Sequence, residues 1–147
     1  MTDVVFRYEG TLDKYIGGAI MVFFNDPLPQ EDHAERAVRM ALDMQREMVE
    51  LRAHFAKAAM TEINAGIGIS TGFVTVGNVG SPTRMDYTAM GNDVNLASRL
   101  ADDAGPDEII ITERTLALLP DGLVTAEPAG QRNLKGVQRP IGFYRIT

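Results

Sequence analysis

Met85-Asp-Tyr-Thr-Ala-Met-Gly-Asn-Asp-Val-Asn-Leu-Ala-Ser-Arg-Leu100 reads as a polar loop that passes through a capped helix start into an amphipathic helix. Asp86, Asn92 and Asp93 suit loop and N-cap positions, because short polar side chains satisfy the free amides of a first helical turn. Val94, Ala97 and Ala101, with Leu100 at their edge, recur at helical spacing and predict the buried stripe. Asn95 and Arg99 stand four apart, so their side chains lie side by side on one face. An amide donor and a guanidinium aimed together suit a phosphate or a developing oxyanion.

Working outward, the chain has 147 residues and 45% hydrophobic content, enough for one domain with a core, spanning 1–147, and too few for two comfortable ones. With no cysteine, disulfides, thiol catalysis and cysteine-ligated zinc are excluded, and a reducing compartment fits. His33 and His54 are too far apart in sequence to suggest a histidine metal site. Twenty acidic against 14 basic residues give a net charge of -6, which argues against nucleic acid as a partner. No apolar run approaches the roughly 20 residues of a membrane span. The expected location is cytoplasmic, with no membrane contact by this domain.

Thr11 to Ile16 and Ala19 to Phe24 flank Gly17-Gly18, a dipeptide suited to a tight hairpin turn. Asp32 and Glu35 read as N-cap and N3 acid of a helix running to about Lys57, with Ala34, Val38, Ala41, Met48, Leu51 and Phe55 as its core stripe. Asn64 to Ser70 alternates, placing Ala65, Ile67 and Ile69 on one face and Gly66 and Gly68 on the other, where bare backbone admits another element. That alternation also excludes a glycine-rich phosphate loop for Gly66 to Gly72. Phe73 to Val79 is the next expected strand, with Gly80-Ser-Pro82 opening the loop before the helix, which fades at Ala104-Gly105-Pro106. Ile109 to Thr112 reads as a short buried strand, Glu113 to Leu119 as a short helix, and Leu123 to Ala126 and Ile141 to Ile146 as closing strands. Hairpins alternating with helices give an α+β fold, a sheet with helices packed on it.

Three blocks together resemble the class III adenylate and guanylate cyclase catalytic domain. The stretch around Gly91-Asn-Asp-Val-Asn-Leu-Ala-Ser-Arg99 is similar to that family's Gly-(Asn/Asp)-x-Val-Asn-x-Ala-x-Arg signature. Gly10-Thr-Leu-Asp-Lys-Tyr-Ile-Gly-Gly18 resembles its lysine-bearing hairpin, normally Leu-Asp-Lys-x-Ile-Gly-Asp, and Asn133-Leu-Lys-Gly136 its late Leu-Lys-Gly turn. The resemblance implies a ferredoxin-like core with a C-terminal extension, truncated at its N-terminus. Residues 1 to 9 would be the tail of a longer helix.

On its own, Lys14 shares a strand register with Leu12 and Ile16 and reads as a sheet-edge lysine whose stem covers apolar surface. The resemblance implies instead that Lys14 recognises adenine together with Thr88, making ATP a better candidate than GTP. It implies that Asn95 positions the ribose, that Arg99 stabilises the transition state as the 3′-oxygen attacks the α-phosphate, and that Lys135 meets the terminal phosphates. Without the resemblance, Asn95 and Arg99 are a helix-surface pair and Lys135 a solvated turn lysine.

Family members hold two magnesium or manganese ions with two aspartates, one in an Asp-x-x-Gly-Phe-Thr strand and one at the hairpin tip. The first motif would precede Met1, and the second position is Gly18, so Mg or Mn is expected only through a partner subunit or that earlier strand. The implied partners are ATP and, as homodimer or heterodimer, a metal-bearing cyclase domain. The resulting expectation is an adenylate cyclase domain converting ATP to cyclic AMP and pyrophosphate, contributing the base-recognition and transition-state half of a shared site. The alternative is a catalytically inactive cyclase-like module for nucleotide binding or dimerisation.

Overall fold

A computed structural model describes residues 2–16, 19–56, 65–81, 84–132 and 140–147. The Ile109–Thr112 run forms strand β6 of a four-stranded sheet in spatial order β3 (Ile67–Ile69), β6, β8 (Ile141–Ile146), β7 (Ala126–Arg132). All four β6 residues are buried, as expected of a strand covered on both faces. β3 runs parallel to β6, while β8 runs antiparallel to both β6 and β7.

Two helices cover the two faces of this sheet. On one face, α2 (His33–Ala56) sets Val38 and Ala41 against Ile109, Ile111 and Ile146, joined by the half-buried Ile67 and Ile69. The α2 stripe therefore packs as its spacing indicates for Ala34, Val38, Ala41 and Met48, whereas Leu51 is exposed. With α2 starting at His33, Asp32 and Glu35 take the N-cap and N3 positions: the Asp32 carbonyl accepts the first helical bond from the Arg36 amide at 2.9 Å, and the two carboxylates accept from Arg36 Nε at 2.7 Å and Arg39 Nε at 2.8 Å. On the other face, α3 (Asn92–Asp103) packs Leu96 and Leu100 onto Ile110 and Phe143.

Gly66, just before β3, and Gly68 within it explain how close α3 can come. A methyl group on Gly66 would sit 2.9 Å from the carbonyl oxygens of Ala101 and Ala104, and one on Gly68 2.3 Å from that of Ala97. Close approach at the glycines is thus the observed arrangement, and it re-centres the helix contact. Leu96 and Leu100 are the buried pair, while Val94, Ala97 and Ala101 are only half-buried, because the two alanines lie over bare backbone and the leucines reach past it.

α1 (Thr2–Arg7) buries Val4 and Val5 against Met40 of α2, with Leu12 and Val22 of the β1 (Thr11–Ile16) and β2 (Ala19–Phe23) hairpin packed beside them. The Tyr8 hydroxyl donates to the Asp43 carboxylate and ties the end of α1 to α2. Among the described residues β2 pairs only with β1, and β3 only with β6. The β2 edge away from β1 and the β3 edge away from β6 therefore carry no ladder among the described residues.

Two strand assignments change. Thr75–Ser81 (β4) pairs antiparallel with Arg84–Met90 (β5), from Thr75 opposite Met90 to Ser81 opposite Arg84. The segment before α3 is thus a strand rather than a loop. β7 begins at Ala126, where the expected strand Leu123 to Ala126 ends; Leu123 and Val124 instead fill the edge of the α2-side core. The short helix α4 (Glu113–Ala117) is capped by the Thr112 side chain, which accepts from the Thr115 amide.

Candidate functional site

The β1–β2 ladder slips by one residue where the site is built. Leu12 stands opposite Val22 and Lys14 opposite Met21, so Asp13 is an extra residue in a β-bulge. A bulge breaks the two-residue alternation of a strand. Lys14 consequently does not share a face with Leu12: it follows Met21, while Leu12 follows Val22 into the core below. The lysine side chain is 47% exposed, and its Nζ lies 3.9 Å from Asp13 Oδ1.

Asp13 itself turns inward, with its side chain only 2% exposed. One of its oxygens, Oδ2, accepts from the Thr88 hydroxyl at 2.8 Å and from the Ala89 amide at 2.9 Å. Thr88 is buried on β5. The two residues expected to recognise a base are thereby brought to one place, held by an aspartate 75 positions from Thr88 in sequence. Sequence reasoning assigned Asp13 no role, although an acid inside a strand, next to a lysine, is a signal: aspartate is depleted from strands unless something there uses it.

β5 leads directly into α3. Gly91, at φ 142° and ψ 177°, makes the turn, in a region of backbone space that only glycine enters readily. Its carbonyl accepts the first helical bond from the Asn95 amide at 3.3 Å. No side chain caps this end, so Asn92 and Asp93 are not N-caps. Asp93, in the first turn, accepts from Ser70 Oγ at 2.6 Å, anchoring the helix start to the chain beyond β3. Its negative charge also suits the positive end of the helix dipole.

Asn95 and Arg99 are both exposed, one turn apart on α3, beside the buried stripe of Leu96 and Leu100. Lys135 and Gly18 lie outside the described residues, as does the hairpin tip as a whole. Among the described residues no three carboxylate or imidazole side chains gather closely enough to hold a metal ion, and position 18 is a glycine with no carboxylate to offer. The described residues therefore do not fit a metal pair.

With this geometry in place, similarity to known proteins becomes specific. Residues 7–147 match the family model described as the adenylate and guanylate cyclase catalytic domain. The adenylyl cyclase CyaB of P. aeruginosa superposes with a TM-score of 0.90 at 39% identity, over 99% of this chain and 76% of that one. The guanylyl cyclase Cya2 does so with a TM-score of 0.89 at 33% identity, over 99% and 73%. An adenylate cyclase of Anabaena cylindrica is 40% identical over 143 residues, which are 93% of this chain and 28% of that protein. The chain spans less than a third of the length of the curated relatives it matches. No described helix is long and apolar enough to cross a membrane.

Proposed function

The chain belongs to the adenylate and guanylate cyclase catalytic domain family, and from that premise we propose that it acts on ATP, supplying the base-recognition and transition-state half of a dimeric site. The observation that carries this reading is the cluster of Lys14, Asp13 and Thr88, which joins the lysine hairpin to the strand entering α3. A lysine ammonium can donate to a ring nitrogen of adenine, and a threonine hydroxyl can meet its exocyclic amine. Asn95 holds the ribose, and the Arg99 guanidinium stabilises charge building on the α-phosphate as the 3′-oxygen attacks and pyrophosphate leaves. Lys135 meets the terminal phosphates. The products are cyclic AMP and pyrophosphate, in cytoplasmic signal transduction.

Because the described residues make no metal pair and position 18 is a glycine, magnesium or manganese is assigned to a partner's half of the site or to an earlier strand. The partner is a metal-bearing cyclase domain, as homodimer or heterodimer. Gly18 favours a second reading, a catalytically inactive module that binds nucleotide or dimerises. The test mixes the 147-residue chain with a cyclase subunit that keeps both metal aspartates but lacks its own counterparts of Asn95 and Arg99. Cyclic AMP formed from ATP by the mixture, and by neither component alone, supports the proposal. ATP binding without restored turnover supports the inactive module; binding of neither ATP nor GTP removes the first reading and leaves only a dimerisation module, which fails in turn if the chain does not associate with the subunit.

A further inference from the structure

We propose that Asp13 is a specificity-determining positioning residue, which fixes the Thr88 hydroxyl as a hydrogen-bond acceptor and so favours adenine over guanine. This rests on the reading that Lys14 and Thr88 face the base. A threonine hydroxyl has one proton to donate and lone pairs to accept with. At Thr88 that proton has two possible destinations, Asp13 Oδ2 at 2.8 Å and the Ala89 carbonyl at 3.5 Å. The second is well beyond the usual length of an O–H···O bond, and the first ends on a carboxylate, so the proton goes to Asp13.

The aspartate is in turn fixed. The same oxygen accepts the Ala89 amide at 2.9 Å, and the bulge that turns Asp13 inward removes it from the β1–β2 ladder. With its proton committed, Thr88 Oγ1 can offer a ligand only lone pairs. The exocyclic amine of adenine donates to such an oxygen, whereas the carbonyl oxygen of guanine at the corresponding position would oppose it. Asp13 also keeps the Lys14 ammonium near the same locus through its other oxygen, 3.9 Å away. The base preference is thus set by a residue that need not touch the base.

The test is competition between ATP and GTP for binding to the full chain, alone and with the metal-bearing subunit described above. Wild type should prefer ATP. Asp13→Ala frees the Thr88 proton to meet guanine and should reduce the preference about 10- to 100-fold. Asp13→Asn keeps an acceptor oxygen at the same place and should retain the preference, which separates proton acceptance from charge. Thr88→Val should lose as much as Asp13→Ala, and the double variant no more than either. Equal weakening of both nucleotides by Asp13→Ala, or an unchanged ratio, overturns the proposal while the base-recognition reading stands. Absence of any ATP preference in wild type overturns that reading and the proposal together. Should Asp13→Ala fail to fold, two results decide: loss of preference in Asp13→Asn overturns the proposal, and a slowly exchanging Thr88 hydroxyl proton in the wild-type NMR spectrum supports it.

Discussion

Gly68 lies so close beneath Ala97 that a single added methyl group would come within 2.3 Å of the Ala97 carbonyl oxygen, and within 2.5 Å of the Ala101 amide nitrogen. Both obstacles are backbone atoms of α3, so no side chain can swing aside to relieve the contact. Gly68→Ala is therefore expected to push α3 off the sheet and to destabilise the domain by about 2–3 kcal/mol, the upper range for overpacking. Denaturant unfolding reads the loss. Because α3 carries Asn95 and Arg99, turnover in the mixed assay should fall as well, and an unchanged stability would mean that helix and strand are not in such contact.

Arg99 is exposed on α3, beside the buried stripe of Leu96 and Leu100. Its removal leaves no cavity and no buried partner unsatisfied. Arg99→Ala should thus leave the melting temperature within a degree or two of wild type, while lowering turnover in the mixed assay about 10²- to 10³-fold, as when one oxyanion donor is lost. Asn95→Ala should behave similarly with a larger effect on ribose-modified substrates. A drop in stability that matched the drop in activity would reassign Arg99 to a structural role.

Asp93 joins the first turn of α3 to Ser70 through a 2.6 Å hydrogen bond. Here the carboxylate also fills the space above Gly72, whose added methyl would meet it at 1.9 Å. Asp93→Ala should cost about 1–2 kcal/mol, from the lost charge-assisted bond and the lost dipole interaction. Asp93→Asn, which keeps an acceptor for Ser70, should recover part of that in thermal unfolding.

Several of these features were legible in the residues alone. The α2 stripe of Val38 and Ala41, the isoleucine alternation of β3 and the glycine side that admits α3 all follow from periodicity, since burial on one face forces it. The Arg84–Met90 strand was missed although Met85, Tyr87 and Ala89 alternate with Arg84, Asp86 and Thr88, because polar residues before a helix cap read as loop. Asp13 is marked by its residue type, but its inward turn was beyond reach for another reason. A strand's period of two presumes an unbroken ladder, and the slip between Leu12 and Lys14 is set by tertiary hydrogen bonds to Thr88 and Ala89 rather than by local pattern. Leu96 was overlooked because the centre of the α3 stripe depends on where the glycines of another element lie.

The Tyr8 hydroxyl, which donates to the Asp43 carboxylate, is held above its ordinary titration range by that hydrogen bond first, then by burial and by the Asp43 charge. Folding therefore favours the protonated phenol. The stabilisation is complete below the unfolded-state value of 10.0 and is lost as pH rises through the higher folded-state value. Asp32, lowered chiefly by its hydrogen bond with Arg36, has the opposite sign: its contribution is present above the model-compound value of 3.8 and disappears as pH falls below it. Tyr8→Phe should flatten the alkaline limb of a stability profile and leave the acid limb unchanged. Asp32→Asn should flatten the acid limb alone, and a crossed result would show that neither pair governs its limb.

The open edge of β3 gives the last expectation. The Ile67 amide donates to the Glu108 carbonyl at 3.0 Å, toward β6. Successive amides of a strand point to opposite sides, so the Gly68 amide faces the edge that no described strand pairs. Amides without a partner exchange quickly, and those in a ladder exchange only on local or global opening. In the 147-residue chain, Gly68 should exchange several orders of magnitude faster than Ile67 and than Ile110 in the centre of the sheet. Adding a partner chain whose strand pairs with this edge should slow Gly68 selectively, with little change at Ile67. If Gly68 is already as protected as Ile67 in the isolated chain, the edge is closed in solution by contacts of this chain with itself or with a second copy, and dilution through the dimerisation range would distinguish the two.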